Sequence, residues 1–269
     1  MANKITETTL EMHYHKALMD AFKACYGVGP NGHFSFYKYS TQKEKFIGFD
    51  QAYVRTELDD DKFLEEIKQA ATGSTTAPKS VGYFLQFKVV ESRTKRSKAI
   101  PKEISNSPPF YAVTLSTKRD AEGHFSQHEL LRNIQASNAN AFVYYACPML
   151  FDKLDLYVDD PDLNQLRLVD VRSAVSDFRD NESKHHIYFK NKTSNPVWCS
   201  EPTDGTAWTF EQMLDRMRNG DQSSQEHARL LVSLIERFGV PESKQKEELS
   251  LSEKLALMAD CLYLVRYGE

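Results

Sequence analysis

Residues 83–90, Tyr-Phe-Leu-Gln-Phe-Lys-Val-Val, constrain the fold more than any other stretch of this chain. Aromatic and β-branched residues dominate the run and no turn former interrupts it, so it reads as a strand. Side chains alternate across a strand. Tyr83, Leu85, Phe87 and Val89 therefore share one wholly apolar face, and Phe84, Gln86, Lys88 and Val90 share the other. A strand of this kind is covered on both sides, which requires layers of helix or sheet above and below it. Gln86 and Lys88 must be satisfied within that cover, because a buried polar group without a partner costs several kcal/mol. Function is one common reason for a fold to accept the cost.

The remaining sequence supplies the layers. Leu10, Tyr14, Ala17, Leu18, Ala21, Phe22 and Cys25 recur at the spacing of one helical face, which predicts a helix over 9–26, with Thr8 and Glu11 at capping-box spacing. A glycine- and proline-rich turn follows, then two aromatic strands over 34–39 and 46–54 and a short acidic helix over 57–71. Residues 110–117 read as a strand, 126–137 as a helix and 141–150 as a buried strand, an order that suggests a parallel crossover. Within 151–208 only 185–190 carries a clear strand signal. From Thr209 the spacing turns helical. A stripe through Leu231, Leu234, Ile235 and Phe238 precedes a final helix from Ser250, with Leu255, Met258, Leu262 and Val265 on one side. The expected fold class is α/β: a mixed central β-sheet flanked by helices over 1–205, with an extension after 150, and a helical C-terminal region over 206–269. Those last helices are the expected contact for a homo-oligomer or a partner subunit.

Composition narrows the function classes. Hydrophobic residues make up 41% and charged residues 27% of 269 residues, and no apolar run reaches the roughly 18 residues of a membrane span. No membrane partner is expected. The N-terminal residues lack a signal-peptide pattern, so the expected compartment is the cytoplasm. Four cysteines lie far apart without a C-x-x-C pair, which favours buried thiols over disulfides or a zinc site. A net charge of −4 excludes a globally basic nucleic-acid coat but leaves room for a local basic patch. Gly27, Gly29 and Gly32 follow a helix and precede a strand, the reverse of a dinucleotide-binding context.

Asp50 is an acid in the middle of the aromatic strand 46–54. If that strand pairs with 83–90, a carboxylate and the Gln86 carboxamide oxygen converge where a hard cation such as Mg²⁺ binds through oxygen ligands, with Lys88 beside the bound water. This D…Q-x-K arrangement resembles the PD-(D/E)XK nuclease superfamily, the restriction-endonuclease-like fold, in its Q-x-K variant. The resemblance covers about the first half of the chain. It implies a metal-dependent endonuclease acting on nucleic acid, DNA being the favoured substrate, with Mg²⁺ (or Mn²⁺) held by Asp50 and Gln86 and with Lys88 positioning the attacking water. It also implies a role in restriction or anti-phage defence. The family's glutamate in the first helix corresponds to Glu11, with Glu7 as the alternate. No proline precedes Asp50, and Gln86 brings one negative charge fewer than the family's second acid, which weakens metal affinity. The rival expectation is a non-enzymatic nucleic-acid-binding or assembly subunit with the same fold.

The loop after Lys88 gathers Arg93, Lys95, Arg96, Lys98 and Lys102 beside a single acid, Glu91, the composition expected for phosphate attraction. Gln127 and His128 open the next helix, whose N-terminus favours phosphate, although capping by Ser126 explains that start more simply.

Overall fold

The computed structural model describes residues 5–25, 33–38, 65, 68–73, 79–95, 100–106, 108–117, 126–137, 141–157, 161–174, 185–199, 202–219, 225–226, 228–229, 232–233 and 262–268. The first helix, α1 (Glu7–Cys25), buries Leu10, Tyr14, Leu18 and Phe22, one residue per turn along a single stripe. Its cap differs from the expectation. The Thr6 hydroxyl, not that of Thr8, accepts from the Thr9 amide at 3.1 Å, and the Thr6 carbonyl accepts from Leu10 N. Glu7 therefore stands in the first turn, where the exposed amides of a helix start favour a carboxylate.

Strands β1 (His33–Lys38), β2 (Lys79–Phe87) and β3 (Val90–Arg93) follow, then a short helix α2 (Lys102–Ser105) and β4 (Phe110–Leu115). Helix α3 (Gln127–Ser137) leads to β5 (Val143–Pro148) and β6 (Leu166–Asp170). The chain continues through β7 (His185–Phe189), β8 (Pro196–Cys199), β9 (Thr203–Asp204), β10 (Ala207–Trp208), α4 (Phe210–Arg218) and β11 (Leu262–Gly268). These strands form two sheets, one of six in the order β1-β11-β2-β5-β6-β10 and one of five in the order β3-β4-β7-β8-β9. The α/β class stands.

Where β2, β5 and β6 run together, from Tyr83 onward, the larger sheet is buried on both faces, as residues 83–90 required. On one side Tyr83, Leu85, Phe87, Tyr144, Ala146, Leu166 and Leu168 meet the α1 stripe and Phe210, Met213 and Met217 of α4. On the other, Phe84, Val143, Tyr145, Cys147 and Val169 meet α3 and the smaller sheet through Val113, Ile187, Phe189 and Trp198. Truncating Leu10 or Phe22 to Ala would cost about 2–5 kcal/mol, the usual penalty for emptying a packed core position. Helix α4 is fastened by a polar anchor as well. Arg216 Nη1 donates to Tyr144 Oη at 2.9 Å and to Asp170 Oδ2 at 3.4 Å, and its guanidinium lies over the Trp208 ring.

Two connections depart from the sequence-based expectation. The strand over 110–117, now β4, belongs to the smaller sheet, antiparallel to β3 and β7, so it is not the start of the crossover. The parallel partner of β5 is β2, and the chain between them builds β3, α2, β4 and α3 on the way. Residues 262–268, expected as the end of a helix, form β11 instead. It lies antiparallel between β1 and β2, so residues 206–269 are not an all-helical region apart from the core.

Candidate active site

Strand β2 leaves the larger sheet and re-enters the smaller one as β3 after only Lys88 and Val89. The Lys88 amide still donates to Ala146 O at 2.8 Å, so its backbone prolongs the ladder with β5 by one residue. By alternation its side chain shares the face of Gln86, which looks towards the smaller sheet. Lys88 is therefore set at a corner between sheets, at the carboxyl ends of the parallel pair β2 and β5. In open α/β sheets ligands bind beyond those ends.

The lysine ammonium is almost enclosed, its side chain 5% exposed, and Nζ donates to Glu7 Oε1 at 2.8 Å. Glu7 is 42% exposed, so the carboxylate faces Lys88 on one side and solvent on the other. Helix α1 brings it there because its buried stripe packs along the Tyr83, Leu85 and Phe87 face of β2, with Glu7 in its first turn. Glu11, the favoured glutamate from sequence, lies one turn further along and is half-buried. The alternate, Glu7, is the residue at the lysine.

Gln86 is 7% exposed. Its Nε2 donates to Phe87 O at 3.3 Å, and its Oε1 has no hydrogen-bond partner. Leaving a buried acceptor unsatisfied costs about 1–3 kcal/mol. On the same face, Cys147 of β5 pairs in register with Arg167 of β6, and Tyr145 of β5 pairs with Gln86. Cys147 is fully buried within electrostatic reach of Lys88, Glu7 and Arg167; burial pushes its thiol well above the usual cysteine range and keeps it neutral. Arg167 is 8% exposed, and its Nε too lacks a hydrogen-bond partner. Sequence reasoning missed Arg167. The available signal was the one that marked Gln86, a single polar residue inside an apolar run, Leu-Arg-Leu-Val.

A cleft of about 720 Å³ opens beside this corner, lined by Ile5, Val89 to Ser92 and Leu150 to Lys153. It lies where β2 and β5 end and where α1 begins, and its walls carry Glu91, Asp152 and Lys153. No family model, curated protein or solved structure matches the chain. The functional reading therefore rests on this geometry.

The other residues singled out from sequence are distributed as follows. Asp50, Arg96 and Lys98 lie outside the described residues, as does the strand expected to pair with β2. Over Lys79–Phe84 one edge of β2 is taken by β11, and over Phe84–Phe87 the other is taken by β5. Arg93 ends β3, with Nη2 and Nε donating to Glu91 Oε2 at 2.9 and 3.3 Å, while Lys95 and Lys102 are exposed. Ser126 caps α3 in a reciprocal box: its hydroxyl accepts from Glu129 N and its amide donates to Glu129 Oε2. Gln127 is half-buried, whereas His128 is withdrawn into the core, 2% exposed, with Nδ1 2.9 Å from Tyr145 Oη. Burial keeps this ring neutral, so it offers a phosphate no positive charge.

Proposed function

We propose that this protein is a metal-dependent nuclease that hydrolyses phosphodiester bonds in nucleic acid, DNA being the favoured substrate, on a core resembling that of the PD-(D/E)XK superfamily. On this reading it acts in the cytoplasm, in restriction or anti-phage defence. The observation that carries the proposal is the 2.8 Å contact of Lys88 Nζ with Glu7 Oε1 at the carboxyl end of β2, two residues beyond a buried glutamine with an unpartnered oxygen. A lysine enclosed but still facing a half-exposed carboxylate has its donors directed at one place, next to the cleft.

The residues present fit a hard divalent cation. Among the described residues no group of three or more His, Cys, Asp and Glu side chains forms a ligand set. The donors at hand are oxygens, Gln86 Oε1 and the Glu7 carboxylate, to which the proposal adds Asp50. Mg²⁺ takes few protein oxygens and keeps several waters, which suits a sparse set of this kind better than a cage. When bound, the ion would neutralise charge on the phosphodiester oxygens. The chain's own residues do the rest. Lys88 donates a hydrogen bond to the attacking water and fixes its direction, and Glu7 holds the ammonium in place and accepts a proton from that water. The lysine side chain is itself almost closed to bulk solvent, at 5% exposure.

Lys88→Met should abolish cleavage of labelled DNA and RNA while calorimetric Mg²⁺ titration still shows binding, because the oxygen donors remain. Glu7→Gln should weaken both. It should also destabilise the fold, by less than the about 3–5 kcal/mol of a fully buried pair, since Glu7 is partly solvated. If the parent neither binds Mg²⁺ nor cleaves, and both variants merely lose stability, the pair is a structural ion bridge and the protein is a binding or assembly subunit.

A further inference from the structure

Resting on the reading above, we propose that Arg167 binds a backbone phosphate of the nucleic-acid substrate on the inner face of the larger sheet, beside Lys88. The starting point is a charge imbalance. Lys88 and Arg167 flank Cys147 in one row across β2, β5 and β6, with Cα positions roughly 10 Å apart for two strand spacings. Cys147 is neutral, and Glu7 is the only carboxylate paired to either cation among the described residues. The row thus holds one positive charge more than it holds negative charge.

Arginine is rarely enclosed without a partner, because its five donors keep their charge at any physiological pH and lose hydration on burial. Here the Arg167 side chain makes no hydrogen bond or ion pair with any described residue, and its Nε, though not its two terminal nitrogens, is wholly withdrawn from solvent. Gln86 on the same face repeats the pattern with an unpartnered Oε1. Two orphaned polar groups of opposite hydrogen-bonding sense on one buried face fit a ligand that carries both an anion and its accompanying cation or water. A phosphodiester supplies a single negative charge spread over two oxygens, which matches the surplus charge and the forked donor geometry of a guanidinium. The cleft is near in the chain: Leu150 to Lys153, which line it, follow Pro148, the β5 residue that pairs with Leu166 beside Arg167.

The inference makes an unusual pair of demands on Arg167→Met, which keeps the apolar stem and removes the charge. Thermal unfolding should shift upwards or stay level, since an uncompensated buried cation is lost. Binding of fluorescein-labelled DNA and RNA strands to the full chain in EDTA, read by anisotropy, should weaken roughly ten- to hundredfold, as for loss of a charged hydrogen bond. Its salt slope should fall by about one unit. Arg167→Lys, with charge but no fork, should fall between the two. Unlabelled inorganic phosphate should compete only weakly. Unchanged affinity and slope in Arg167→Met overturn the inference, as does a lowered unfolding temperature, which would give the guanidinium a structural task. Phosphate binding through Arg167 without any strand binding overturns it too. Because these measurements contain no divalent metal, the two proposals fail separately. A parent that binds strands through Arg167 but never cleaves in Mg²⁺ removes only the nuclease, and a cleaving parent indifferent to Arg167→Met removes only the phosphate contact.

Discussion

His128 shows what enclosure does to a single titratable side chain. Its ring lies parallel to that of Tyr145, bonded to the phenol, and tilts against Trp198. Burial, with Arg132 and His185 adding positive potential, lowers its pKa to about 3. In the unfolded chain a histidine titrates near 6.5, so the unfolded state takes up the proton first and stability falls as pH drops from about 6.5 towards 3. Above that window the contribution is complete. Unfolding free energies of the parent, from denaturant titrations, should decline by about 1.4 kcal/mol per pH unit more than those of His128→Gln between pH 6 and 4. Parallel pH profiles would mean that the ring is protonated in the fold. At this scale the sequence was informative where a polar residue broke an apolar alternation, as at Gln86 and Lys88. It was ambiguous between Glu7 and Glu11, because the capping threonine decides whether Glu7 lies inside the helix, and both Thr6 and Thr8 have the chemistry to cap it.

At the scale of elements, β11 marks the limit of reading periodicity. Leu255, Met258, Leu262 and Val265 do keep helical spacing, yet Leu262 to Val265 with Tyr267 is also a short run rich in strand-forming residues. Nothing local decides between the two. Pairing does, since β11 satisfies the backbone of β1 on one side and of β2 on the other. Deleting 262–268 should therefore do more than shorten a tail: it exposes the edge of β2 over Lys79–Phe84 and should convert a cooperative thermal transition into aggregation at lower temperature. A truncated protein that unfolds cooperatively at the parental temperature would show that the strand is dispensable. The crossover was misread for a related reason. Residues 110–117 and 141–150 are both strong strands around a strong helix, but the sequence does not show which sheet a strand joins.

Considered as a whole molecule, the chain is a three-layer arrangement in which helices, a six-stranded sheet and a five-stranded sheet share two cores through the larger sheet. Layering was legible from residues 83–90 alone, because no other architecture covers both faces of such a strand. The second sheet was not, because 151–208 mixes acidic surface segments with short strands. Many of the pairings are remote in sequence, β1 and β2 with β11 above all. Refolding from denaturant should accordingly fall in the slow, millisecond-to-second range of non-local topologies, and a microsecond phase with full amplitude would contradict that topology. The same remoteness has a consequence on the ribosome. Strand β2 emerges long before residues 262–268 are translated, so its edge over Lys79–Phe84 stands unpaired on the nascent chain and needs shelter until synthesis has passed β11.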